Sequence, residues 1–252
     1  MTLPKVTTPT FKIKLPTSGK EIKLRPFLVK EEKIIMLAVQ AGGPDDILNA
    51  IKDVIRNCTF DDIDVDTLST IDIEYIFLRL RIMSRGSLVN LQFKCNHVIK
   101  EKQPDGREID TECGHITKLD FDLETVEVKV PDEYNTTIVL DKKQNIGVVM
   151  KPPTYSSFYK LRDLVDETKS IADRYDIFLD FIDYVFDGTT IYKDFTREEL
   201  KDFIESLSNE NYAKIKNFFN TLPKLSAKLH ICCSKCKNQS DITLEGLQNF
   251  LD

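Results

Sequence analysis

The 252-residue chain contains no tryptophan and only three histidines. Aromatic packing therefore falls to 15 Phe and 8 Tyr, and chemistry built on clustered imidazoles has few residues to draw on. No apolar run approaches the length of a membrane-spanning helix. No Gly-x-Gly-x-x-Gly, phosphate loop or nucleophile elbow occurs, which removes the commonest nucleotide-binding and serine-hydrolase readings. The acidic stretch Asp61-Asp62, Asp64 and Asp66 lacks the Gly and closing Glu of a calcium loop, so it reads as solvated. Met1 to Lys5 lack the charged start and apolar middle of a secretion signal. A reducing cytoplasm is the expected setting, where six Cys favour metal binding or free thiols over disulfides. Net charge is −6 and the pI about 5.3, so no chain-wide attraction to nucleic acid or an anionic membrane is expected.

What is present suits an ordinary globular protein. The hydrophobic fraction is 41% and the charged fraction 30%, and the length allows one large domain or two modest ones. Residues 1–10 read as an extended arm. Phe11, Ile13 and Leu15, then Ile22 and Leu24, alternate with lysines around Pro16-Thr17-Ser18-Gly19 and predict a hairpin. Helices are predicted from about Lys30 to Ala41, from a cap at Asp45 or Asp46 to Cys58, and after Thr70 as N-cap. The third, with Ile73, Tyr75, Ile76, Phe77, Leu78, Leu80, Ile82 and Met83, is apolar nearly all round and should be buried. Its Arg79 and Arg81 then need ion-pair partners or solvent. Period-two runs follow at Val89–Cys95, Leu119–Leu123 and Val126–Val130, with residues 96–112 as a long polar loop. Thr137–Leu140 and Ile146–Met150 predict a hairpin. Beyond Pro152-Pro153 helices are expected near Ser156–Val165, Ile171–Phe186, Arg197–Leu207 and Glu210–Thr221. Strands Lys228–Ile231 and Ile242–Leu244 and a helix around Leu247–Leu251 close the chain. The fold class is α+β, with a lobe at 11–151 and a mainly helical lobe at 152–252.

Chemistry concentrates at the cysteines. Cys233 and Cys236 stand two residues apart, so one tight turn can aim both thiolates at one metal ion. Cys95 and Cys113 supply the missing half. Placing Cys95 over Cys233 and Cys113 over Cys236 sets Leu91 and Phe93 on Leu229 and Ile231, and Leu119 and Phe121 on Ile242 and Leu244. Only the intervening loop differs, with 17 residues in the first knuckle and two in the second. Two knuckles of two thiolates each predict one closed, structural zinc site with no position for water or substrate. Cys232 should point away from the metal, and Cys58 should be a buried free thiol. Three alternatives use the same residues: a separate site made by Cys95-x-His97 and Cys113-x-His115, a redox pair Cys233–Cys236, and unligated thiols. No catalytic constellation is found, so no enzyme is expected.

Asp72-x-Glu74-Tyr75-Ile76-Phe77-Leu78-x-Leu80-Arg81, Ser84-x-Gly86 and Cys95 form a pattern that resembles the baseplate hub subunits of contractile-tailed, T-even-like bacteriophages. Leu24-Arg25-Pro26-Phe27 with Glu31-Glu32-Lys33 fits the same family, as does Cys233-x-x-Cys236 with Ile242-x-Leu244-x-x-Leu247-x-x-Phe250. The resemblance implies a structural protein of the tail baseplate or a hub-assembly factor, without enzymatic activity, acting in the virion tail and, during assembly, in the host cytoplasm. Its implied partners are other baseplate hub and tail proteins. The alternative class is a zinc-ribbon adaptor for nucleic acid.

Overall fold

A computed structural model describes residues 6–102, 107–154, 157 and 177–250. Strands β1 (Phe11–Lys14) and β2 (Glu21–Leu24) pair antiparallel with Ile13 opposite Ile22 and Phe11 opposite Leu24. The period of two buries Ile13, Ile22 and Leu24 and leaves the lysines outside. Gly19, at φ 66°, makes the left-handed turn that lets the Leu15 and Lys20 ends meet.

Helix α1 (Val29–Ala41) begins after Pro26 and stops at Gly42, whose φ of 74° gives a left-handed C-cap. Helix α2 (Pro44–Cys58) has Gly43 as N-cap with Pro44 at its start, rather than the aspartates expected there. Helix α3 (Thr70–Arg85) is capped by Ser69, not Thr70; the Ser69 hydroxyl accepts the Asp72 N–H at 3.2 Å. As its composition predicts, α3 is buried on most sides, with Ile73, Ile76, Leu78 and Leu80 essentially without solvent contact. Each such side chain contributes about 1.5–3 kcal/mol relative to exposure. Arg79 reaches Glu124, and Arg81 donates to the Gly86 carbonyl at 2.8 Å.

Arg25 ties three elements together. Its guanidinium donates to Glu31 of α1 at 3.0 Å and to the Asn57 carbonyl at the end of α2 at 3.1 Å. Glu31, with no solvent exposure, also accepts the Leu28 N–H at 2.8 Å. Burial alone would raise Glu31, but Arg25 and the Leu28 N–H hold it below its usual value.

Strands β3 (Leu88–Lys94) and β6 (Ile116–Asp122) form one ribbon. Between them residues 96–112 are not the loop expected: β4 (Val98–Lys102) and β5 (Glu108–Glu112) make a second hairpin. The Val98–Lys102 run is too charged for its period to signal a strand. Strand β7 (Glu127–Lys129) joins a sheet that later receives the C-terminal ribbon. Strands β8 (Thr137–Asp141) and β9 (Ile146–Met150) form the predicted hairpin. It continues into β10 (Ile182–Asp187) and β11 (Thr190–Tyr192), in the order β11-β10-β9-β8. Of the helix expected at Ile171–Phe186, residues 171–176 lie outside the described residues, and Ile182 onward is strand, where tertiary pairing with β9 overrides the local pattern. The helix expected at Ser156–Val165 lies outside the described residues except for Ser157, which stands in a turn. Helices α4 (Arg197–Glu205) and α5 (Asn209–Asn220) follow, the first with the Thr196–Glu199 capping box. Strands β12 (Lys224–Cys232) and β13 (Gln239–Glu245) pair antiparallel and place β12 beside β7. The short helix expected around Leu247 is a 3₁₀ turn, Leu247–Phe250.

The result is a mixed α/β fold with two buried clusters. One gathers the β1–β2 hairpin, α2, α3 and the inward faces of β3, β6, β12 and β13. The other packs β8, β9 and β10 against α4 and α5, so it draws on residues from both sides of Pro152-Pro153.

Candidate metal centre

Four sulfurs converge where the β3–β6 and β12–β13 ribbons end. Cys95, Cys113, Cys233 and Cys236 place their Sγ atoms all within 4.8 Å of one another. Cys95 Sγ is 3.6 Å from Cys236 Sγ, and Cys113 Sγ is 3.8 Å from Cys233 Sγ. Four thiolates, each at the usual distance from one tetrahedral zinc ion, have sulfurs about 3.8 Å apart. The tetrad is therefore the right size for such an ion.

The two knuckles share the backbone bonds that close them. The Cys95 N–H donates to the His115 carbonyl, and the Cys233 N–H to the Asn238 carbonyl, both at 2.9 Å. The Gly114 N–H returns to the Cys95 carbonyl, and the Lys237 N–H to the Cys233 carbonyl, again both at 2.9 Å. Gly114 at φ 62° and Lys237 at φ 61° make the same left-handed step after the second cysteine. The ladders agree as well: Leu91 faces Leu119 where Leu229 faces Ile242, and Phe93 faces Thr117 where Ile231 faces Ser240. The β4–β5 hairpin is thus an excursion from one turn of a repeated unit.

Backbone N–H groups point at the sulfurs. Cys233 accepts from Cys236 and Lys235, which bring its thiol down to about 6. Cys95, Cys113 and Cys236 accept from His97, His115 and Asn238, yet desolvation and the neighbouring sulfurs leave all three raised. Four close thiolates repel, and a bound cation is what allows all of them to ionise together. Two contacts that the spacing did not reveal fasten one knuckle to the other. Ser234 Oγ lies 2.6 Å from His115 Nε2, and Lys235 Nζ donates to the Cys113 carbonyl at 3.4 Å. His97 and His115 stand outside the sulfur cluster. Cys232 is exposed, and Cys58 is buried with its thiol pushed up to about 11 by desolvation.

The cluster can hold a metal ion, and four thiolates on one tetrahedral ion would leave no open position for a reacting molecule. A family model described as T4 bacteriophage base plate protein matches residues 8–252. The chain belongs to that family. No curated protein and no solved structure matches it. As a base plate protein it is a structural component of the phage tail.

Proposed function

We propose that this base plate protein is a hub component, permanent or acting during assembly in the host cytoplasm, whose fold is clasped by one zinc ion. Cys95, Cys113, Cys233 and Cys236 are the ligands, and neighbouring hub and tail proteins are the partners. The observation that carries the metal reading is the sulfur tetrahedron joining segments 120 and 141 residues apart in sequence. Soft thiolate donors in a tetrahedral set suit zinc, and a four-thiolate site is structural. The mechanism is positional. The clasp holds the C-terminal ribbon against the β3–β6 ribbon, so that the surfaces of both clusters keep one arrangement for docking.

Metal analysis of the purified protein tests this, alone and with each of the four cysteines changed to Ser. One zinc per chain, lost or weakened in every variant, is the expected result. Zinc retained in Cys95→Ser and Cys113→Ser would overturn the shared site. For the hub role, the protein is supplied to cells infected by a phage lacking it, and complete baseplates are counted. Undiminished baseplates in its absence would refute that role.

A further inference from the structure

Helix α1 packs by one side only. Glu31 and Ala38 are buried, and Ile34 and Ile35 lie against the first cluster. Its other side exposes Val29 by 81%, Met36 by 65%, Val39 by 59% and Leu37 by 54%. At 3.6 residues per turn Val29, Lys33, Met36, Leu37 and Gln40 form one outward stripe, with Val39 at its edge. Single exposed apolar residues are ordinary, but four on one helix face are not scatter.

The charge on this face is not balanced. Glu32 is taken by Arg85, and Lys30 by Glu31. Lys33, in the middle of the stripe, has no carboxylate partner among the described residues. The imbalance extends to the whole start of the chain: residues 1–33 hold eight Lys and Arg against three Glu, in a protein of net charge −6.

We propose that the outward face of α1 is a docking surface for a neighbouring base plate subunit. That subunit presents an apolar patch with a carboxylate opposite Lys33. This rests on the baseplate reading for the class of partner. A second copy meeting α1 with α1 would set Lys33 near its own symmetry mate, which like-charge repulsion opposes. Nucleic acid fits poorly, because the stripe is mainly aliphatic and lacks the arginines and aromatics that engage phosphates and bases. Met36 supplies an adaptable surface that can fill a partner's irregular pocket.

The test uses the full chain as the only copy in infected cells. Wild type, Met36→Glu and Lys33→Glu are compared for yield of complete baseplates, and the purified variants for thermal midpoint and zinc content. Unchanged folding and metal with a baseplate yield lower by about tenfold or more is expected. A photo-crosslinker at position 36 should join an apolar, acid-containing stretch of another base plate protein. Changing that acid to Lys should restore Lys33→Glu. Full yield from both variants would overturn the proposal, as would crosslinks to a second copy or to nucleic acid. If wild type itself restores no baseplates, the hub reading fails and takes this partner with it, an outcome separate from a failure of the variants alone.

Discussion

Two carboxyls, one buried and one half-buried, behave in opposite ways, and each sets a prediction. Glu31 is locked to Arg25, so Arg25→Gln leaves a wholly buried charge short of its partner. Urea unfolding should show a loss of about 3–5 kcal/mol, much less when Glu31→Gln is added. A single variant near wild-type stability would show the pair to be dispensable. Glu74 of α3 has no ion pair among the described residues; desolvation raises it from 4.5 to about 7, against the Leu247 N–H that it accepts. It lines a cavity of about 900 Å³ together with Lys216, Lys224 and Glu245, and the last two are paired with each other. A raised carboxyl favours the folded state while protonated, so its contribution is complete below pH 4.5 and is lost as the pH rises through about 7. Glu74→Gln should therefore stabilise the protein at pH 8, by about 2 kcal/mol after allowance for its partial exposure, and change little at pH 4.5. Equal effects at both pH values would contradict the assignment. The sequence marked both residues as part of a family pattern, Leu24-Arg25-Pro26-Phe27 with Glu31 and Asp72-x-Glu74. It could not show that one is paired and the other is not.

At the scale of elements, legibility followed period. The β1–β2 hairpin, α1, α3, the β8–β9 hairpin, α4 and α5 all carry clean alternation or a strong cap, and all lie close to their predicted places. The failures come where pairing across the chain decides. Ile182–Asp187 looks helical locally but becomes β10 because β9 offers it a ladder. Val98–Lys102 and Glu108–Glu112 look like loop because both faces of that hairpin are largely exposed. The knuckle repeat, in contrast, was readable because cysteine and flanking alternation fix the same register twice. It gives a direct test. Replacing residues 96–112 with Ser-Lys, the pair between Cys233 and Cys236, should close the first knuckle as tightly as the second. The shortened chain should bind the same metal equivalent and keep its near-ultraviolet dichroism. Loss of metal on excision would show that β4–β5 helps to build the site rather than growing out of it.

For the whole molecule, the proposed clasp would act unevenly on the two clusters. The ribbons β3–β6 and β12–β13 are held at one end by the sulfur tetrad and the His115–Ser234 contact, and at the other by the first cluster, through Val89, Phe121, Ala227 and Leu244. The second cluster, with Ile215 and Val148 at its centre, contains none of the four cysteines. Removing a metal bound by the tetrad would therefore leave its packing untouched, while the sulfurs would reprotonate or move apart. Amide exchange with and without a strong chelator should separate these effects. Protection is expected to fall in 91–95, 113–119, 229–233 and 236–242, where backbone bonds depend on the knuckles. It should persist in 146–150 and 209–220. Uniform loss across both sets would mean that the ion holds the entire fold together. No change anywhere would mean that the His115–Ser234 and Lys235–Cys113 contacts suffice, and that the cysteines contribute a site without contributing the clasp.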